Sequence, residues 1–212
     1  MDNKERRIDN LFPTPILLTS MNIALCESAA NRSNTLIKST PSLYNILQET
    51  GGATTADNLH LLPEFAELTQ EINKEVNVYA EVYLGLKPSS IKMTCMWANI
   101  QADGFRHQQH QHPNSYISGV LYLRVPDVEK KGTIFFMDPR PAKNMQHGDF
   151  VFESGLSYRD YQYVPQTGLM LLFPSWLEHG THMFKAENGE ERIVISFNYV
   201  LTSTDLHSYK LA

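Results

Sequence analysis

The periodicity of this chain changes once, at Lys87-Pro88, and that break constrains the fold more than any single motif. Before it, apolar residues recur at helical spacing. Phe65, Leu68, Ile72, Val76 and Tyr79 stand at i, i+3, i+7, i+11 and i+14, which predicts a helix over residues 63–79. Segment 41–49 opens on Pro41 after Ser39-Thr40, and its Leu43, Ile46 and Leu47 keep the same spacing. Proline suits a first helical turn because the N–H it lacks would be unpaired there anyway. Segment 20–36, with Ile23, Ala24 and Leu25 among polar residues, predicts another helix, and Gly51-Gly52 is a breaker. After residue 88 the pattern is that of strands: Ile91–Ile100, Ser115–Val125, Thr133–Met137, Tyr161–Val164, Gly168–Phe173 and Arg192–Leu201. Turn-forming residues separate them, as in a sandwich or barrel. The expected fold is α+β: a double-stranded β-helix, or jelly-roll, core with amino-terminal helices packed on one face. A single domain over 1–212 is expected, helical over 1–88 and jelly-roll over 89–201.

Composition removes several classes of function. Hydrophobic content of 42% is that of a globular chain, and no apolar run approaches the roughly 18 residues that span a bilayer. The segment Met1–Arg7 is polar and lacks the apolar centre of a secretory signal. A net charge of −5 argues against broad binding to nucleic-acid phosphates, which takes a basic surface. Cys26 and Cys95 have no metal-type spacing and read as reduced thiols, which points to the cytoplasm. The apolar stripe of the amino-terminal helices exceeds the obvious needs of a small jelly roll and raises the expectation of a homodimer.

The chemistry-bearing residues cluster in the strand-rich half. On an extended segment, residues i and i+2 face the same way, so His110 and His112 can share one metal ion. His110-Gln111-His112-Pro113 leads into the apolar strand Ile117–Leu123, and Leu169–Phe173 leads into Pro174–His179, which can return His179 to the same mouth. Three ligands on one face of an ion leave the opposite positions open, as in the facial triads of non-haem Fe(II) oxygenases. A histidine pair on a solvated loop is the plainer alternative for the same residues.

The ordered series His-x-His-Pro, Ser-Gly-Val-x-Tyr-Leu, Asp-Pro-Arg, Phe-Pro-Ser-Trp-Leu-x-His and Arg-Ile-x-Ile-Ser-Phe-Asn spans roughly residues 95–200. It resembles the 2-oxoglutarate/Fe(II)-dependent oxygenases, in particular a family from bacteria and their phages. The resemblance implies a dioxygenase that uses Fe(II), 2-oxoglutarate and dioxygen to hydroxylate a substrate the sequence does not name. It implies that His110, His112 and His179 are metal ligands, with His112 where the superfamily carries a carboxylate. It implies that Arg192 binds the far carboxylate of 2-oxoglutarate through its guanidinium fork. Tyr122 falls where related enzymes place a contact to 2-oxoglutarate. The hydroxyl often found two residues after the arginine is Val194 here, and Ser196 on the same strand face is a substitute. Asn99 is expected to face the site and Arg140, in Asp138-Pro139-Arg140, to meet an anionic substrate.

Other readings stay open at this level. One has His112 and His179 alone hold the metal, with Asn114 or water as third donor and His110 behind them. A cupin-like three-histidine metalloenzyme without 2-oxoglutarate, or a non-catalytic jelly-roll metal-binding module, would carry the same histidines but give Arg192 no task. Trp97 and Trp176 read as packing residues, His107 and His182 as peripheral, and His60, His147 and His207 carry no signal. Residues 141–160 read as a long insertion or lid.

Overall fold

The computed structural model describes residues 7, 9, 11–140, 159–186 and 189–202. Most of the segment read as an insertion or lid, and with it His147, lies outside the described residues, as does His207. The described chain forms strands β1 (Leu17–Ser20), β2 (Gly52–Thr54), β3 (Ile91–Gln101), β4 (Ile117–Arg124), β5 (Ile134–Met137), β6 (Asp160–Tyr163), β7 (Leu169–Pro174), β8 (His179–Thr181) and β9 (Arg192–Leu201). Helices α1 (Ile23–Lys38), α2 (Pro41–Thr50) and α3 (Ala66–Val78) precede β3.

Two antiparallel sheets result, one in the order β1-β7-β4-β9-β3-β2 and one in the order β6-β5-β8. This is the α+β, double-stranded β-helix architecture expected from the strand pattern. The amino-terminal part is not purely helical, however. It supplies β1 and β2, which close the two edges of the larger sheet. Four and three residues long, they are too short for alternation to register in sequence.

Side-chain alternation sorts the core into two layers. From β3, β4, β7 and β9, residues such as Met96, Ile100, Leu121, Met170, Ile195 and Phe197 point toward the helices. The opposite set, including Val120, Tyr122, Leu171, Phe173 and Val194, meets Ile134 and Phe136 of the smaller sheet. β4 and β9 are therefore covered on both faces, which is why β4 reads as a nearly continuous apolar run.

The helices spend their apolar stripes on the larger sheet. In α3 this stripe is Leu68, Ile72 and Val76, continued by Tyr79 in a π-helical turn. In α1 it runs through Cys26, Ala29, Ala30 and Ile37, whereas Ile23 is exposed; small residues hid the true face. Ile46 of α2 also faces solvent. The stripe that suggested a homodimer is thus buried within the chain itself. Asn22 caps α1 by accepting from the Leu25 N–H, and Gly51 ends α2 in the left-handed conformation at φ 72°.

The side chains of its cross-strand partners fold over Gly119, where an added Cβ would stand 2.2 Å from the Phe197 ring and 2.8 Å from Leu172. Gly119→Ala should therefore destabilise the protein by about 1–3 kcal/mol through overpacking. A lower urea midpoint at unchanged m-value is the expected readout, and an unchanged midpoint contradicts this packing.

Candidate metal and anion site

The site lies between the two sheets, in a cleft of about 570 Å³. Its long wall is the inner row of β9, in which Arg192, Val194, Ser196 and Asn198 follow one another at every second residue. Beside it runs the matching row of β3, Trp97, Asn99 and Gln101. A bulge between Met93 and Cys95 sets that register, pairing Trp97 with Ser196, Asn99 with Val194 and Gln101 with Arg192.

His110, His112 and His179 come together, with their ligand nitrogens all within 4.8 Å of one another. His179 is the first residue of β8, a three-residue strand with no apolar pattern to announce it. The His110 N–H donates to the His179 carbonyl at 2.9 Å, and the His179 N–H donates back at 3.0 Å. The His112 N–H donates to the Ser175 carbonyl at 3.0 Å. Gly180 permits this approach, because a Cβ there would stand 3.1 Å from the His107 carbonyl oxygen and 2.7 Å from the Phe135 ring.

Each of the three rings has its Nδ1 occupied. Nδ1 of His110 is 2.7 Å from the Gln108 carbonyl, that of His179 is 2.8 Å from the Leu177 carbonyl, and that of His112 is 2.8 Å from Asn198 Oδ1. A carbonyl oxygen only accepts, so each Nδ1 carries the proton and each Nε2 presents a lone pair. Nε2 of His110 and Nε2 of His112 then face each other at 3.2 Å. Two lone pairs repel at that distance unless a cation lies beside both. Ligands at right angles on an ion with bonds of about 2.1 Å stand about 3 Å apart.

Outer partners hold this arrangement. Asn198 Oδ1 also accepts from the Ser118 hydroxyl at 2.7 Å, and Ser118 pairs with Ser175 at 2.8 Å, so His112 is braced by a buried chain. Burial presses His179 down to about 3, with the Leu177 hydrogen bond opposing the shift and His110 and His112 adding to it. His112 is lowered by burial as well, against the Asn198 bond.

At the other end of β9, Arg192 is fully buried. Its Nε donates to Gln101 Oε1 at 2.7 Å, and its Nη1 donates to the carbonyls of Lys131 and Gly132. Among the described residues its Nη2 is buried without a partner, and no Asp or Glu lines the cleft. Gly132, at φ 64°, leaves the guanidinium its room, since a Cβ there would stand 2.7 Å from Nη1. The fork expected from the sequence is thus two-thirds consumed by the protein, and only Nη2 is open to a ligand.

Two further donors share this cup. Tyr122 is buried, its hydroxyl makes no hydrogen bond among the described residues, and burial pushes it up to about 12 against the opposing influence of Arg192, so it holds its proton. Thr181 accepts from the His107 N–H at 2.8 Å, which leaves its own hydroxyl proton uncommitted.

The remaining expected residues are placed as follows. Ser196 and Asn99 line the cleft and bond to each other at 3.4 Å, with Asn99 also accepting from Thr54. Four residues of strand separate Ser196 from Arg192, about 13 Å of rise, so it stands toward the metal end. Thr181 is the hydroxyl that accompanies Arg192 through the Gln101–His107 contact. Arg140 does not line the cleft and folds back on Asp138 at 2.6 Å. Asn114, the alternative third donor, is exposed and turns the chain at φ 62° outside the cleft.

Three readings of bulky or basic residues change. Trp97 is not a core residue; it lines the cleft, with its ring 6.3 Å from that of His112 and inclined by 24°. Trp176 is 52% exposed, and Leu177 fills the inner layer in its stead. His107 is not peripheral, since it lines the cleft and contacts Gln101 at 3.0 Å. Asn198, Ser118, Ser175, Gln101 and Thr181 were not singled out by sequence. Counting by twos from Arg192 and Asn99 would have reached Asn198 and Gln101.

Residues 95–198 match the family model described as "Putative 2OG-Fe(II) oxygenase". The match spans the strands that line the site, so in these residues the chain is similar to the 2OG-Fe(II) oxygenase family. Solved structures share the fold. HygX from Streptomyces hygroscopicus with nickel and 2-oxoglutarate bound is 13% identical, covering 89% of this chain and 83% of its own, at a TM-score of 0.58. A Pseudomonas putida prolyl-4-hydroxylase is 11% identical over 90% and 94%, at 0.56. The viral collagen prolyl hydroxylase vCPH from Paramecium Bursaria Chlorella virus-1, as its 2OG complex, is 11% identical over 89% and 96%, at 0.55. At these identities the likeness is one of fold. No curated protein sequence matches the chain.

Two measurements check the metal end. His179→Ala should strip most of the iron from protein purified with metal, and Asn198→Ala should weaken metal binding by roughly 10–100-fold; retention of a full equivalent of iron by His179→Ala contradicts the ligand set. The second is acid sensitivity of the metal-free protein. His179 and His107 fall from 6.5 to about 3 and about 4 on folding. As pH drops below about 6.5 the unfolded chain therefore takes up protons that the folded chain refuses, and stability is lost progressively toward pH 4. Urea midpoints of chelator-treated protein should fall across that window; a flat profile contradicts the buried neutral rings.

Proposed function

We propose that the protein is an Fe(II)- and 2-oxoglutarate-dependent dioxygenase in which His110, His112 and His179 hold the metal and Arg192, with Tyr122 and Thr181, holds the far carboxylate of 2-oxoglutarate. The observation that carries this reading is the buried Arg192 guanidinium, whose Nη2 has no partner among the described residues, which place no acidic side chain in the cleft. A buried cation left uncompensated is costly, and an anionic ligand offsets the cost. Three neutral imidazoles add no negative charge, so a divalent ion and Arg192 together favour a dianion. A metalloenzyme with three histidines and no 2-oxoglutarate leaves Arg192 without a counter-charge.

When bound, iron and 2-oxoglutarate supply activation of dioxygen, the ketoacid going to succinate and carbon dioxide while a C–H bond of the substrate is hydroxylated. The chain's own residues bind, orient and exclude water. Phe136 and Phe173 pack against the His179 ring, with centroids 5.8 and 4.6 Å away, and keep that flank dry. Trp97, Asn99 and Ser196 border the metal end from β3 and β9, and we assign Asn99 and Ser196 to contacts at that end rather than to the Arg192 cup. Arg140, outside the cleft, is assigned to substrate approach. Two free thiols, Cys26 and Cys95, support a reducing, cytoplasmic setting. No described helix is long and apolar enough to cross a membrane.

Incubation with Fe(II), ascorbate and labelled 2-oxoglutarate should release succinate even without substrate, and its absence contradicts the reading. Arg192→Ala should weaken 2-oxoglutarate binding by roughly thirtyfold or more, the cost of opening a desolvated charge contact, while iron content stays near wild type. Arg192→Lys should recover only part of the loss, because an ammonium cannot serve Gln101, Lys131 and Gly132 and still reach the ligand. Unchanged affinity in Arg192→Ala by calorimetry removes the main support for 2-oxoglutarate.

A further inference from the structure

We propose that Gln101 and His107 are positioning residues for the co-substrate: Gln101 turns the Arg192 guanidinium so that Nη2 alone faces the cleft, and His107 fixes the Gln101 amide in the only orientation that does so. The inference rests on the oxygenase reading above and extends it to two side chains that touch neither metal nor ligand.

The geometry runs as a chain of single choices. Gln101 and Arg192 are direct cross-strand partners of β3 and β9, both buried. Arg192 Nε can only donate, so the Gln101 atom 2.7 Å away must be its carbonyl oxygen. The Gln101 Nε2 then points the other way and donates to His107 Nε2 at 3.0 Å. His107 accepts there only as the Nδ1-protonated neutral ring. Its backbone is fixed in turn, with its N–H donating to Thr181 Oγ1 at 2.8 Å and its carbonyl accepting from the Thr181 N–H at 3.0 Å. Phe105 packs edge-on against the ring at 5.0 Å. A flipped Gln101 amide would put two donors against Arg192 Nε and leave His107 unserved.

Gln101 is also neutral. A carboxylate of the same shape would hold the guanidinium equally well and cancel the charge that the ligand needs. Burying Arg192 on a neutral acceptor and two carbonyls fixes its direction while keeping its charge unspent.

Two variants separate positioning from mere support of the fold, read by anaerobic calorimetry of 2-oxoglutarate into iron-loaded protein. Gln101→Glu keeps the shape and gives Arg192 a counter-charge, so its thermal midpoint should hold or rise. Its 2-oxoglutarate affinity should nevertheless drop roughly tenfold or more. His107→Phe should lose a similar factor with iron retained, and His107→Gln, which restores an acceptor, should recover most of it. If Gln101→Glu and His107→Phe bind within about twofold of wild type while Arg192→Ala does not bind, the inference falls and the oxygenase reading stands. Loss of iron from His107→Phe overturns its role as a residue outside the metal shell. A wild-type protein that neither binds nor consumes 2-oxoglutarate overturns the reading beneath both.

Discussion

Everything in this molecule hangs on β9 being paired along both edges and covered on both faces. A strand so placed has no freedom of register: a slip of one residue would send Phe197 and Tyr199 into the cleft and Arg192 and Asn198 into the helical layer. The helices and the short edge strands that the amino-terminal half contributes serve this constraint, since they bury the outer row of β9 and its neighbours. The inner row is then free to be polar at three of four positions without costing the core its continuity. One strand thereby carries the anion donor at one end and the brace for a metal ligand at the other.

The electrostatic design of the site is unusual in what it omits. With three imidazoles and no carboxylate, the histidine cluster carries no negative charge, and among the described residues no acidic side chain lines the cleft. Burial, which lowers the proton affinity of His179 and His112, works in the same direction as metal binding, because only the neutral ring is a ligand. Arg192 sits under the same pressure, since burial lowers its proton affinity too, and keeps its charge because a guanidinium is so strong a base. The result is a cavity whose bases are ready and whose cation is unanswered, so affinity for an anion is built in before any ligand arrives.

Much of this was legible in the sequence, and what was not failed for identifiable reasons. β3 to β7 and β9 announced themselves, because strands set in a core leave apolar or alternating runs, longest in β3, β4 and β9. β8 did not, since His-Gly-Thr has neither. The histidine trio and Arg192 were singled out from spacing and from resemblance. Gln101 and His107 were not, because their meaning lies in a contact across three elements that no local pattern encodes. Trp97 was misjudged for the opposite reason: its alternation was read correctly, as on the same face as Asn99, but an aromatic on an inner face was taken for core when that face was the cleft. Trp176 shows that a large apolar residue in a motif need not be the one that packs, since its neighbour Leu177 takes that place.

The immobilised guanidinium has a consequence for selectivity. With two of its three nitrogens tied to the protein, Arg192 cannot swing to meet a ligand, and the imidazoles at the far end are equally fixed by their Nδ1 partners. The cleft is therefore a ruler with two stationary marks. A ketoacid whose backbone matches the span reaches both and spends little entropy in doing so, whereas one a carbon shorter or longer must forgo one end. Discrimination among close homologues then comes from length alone, with no contact needed to the carbons in between.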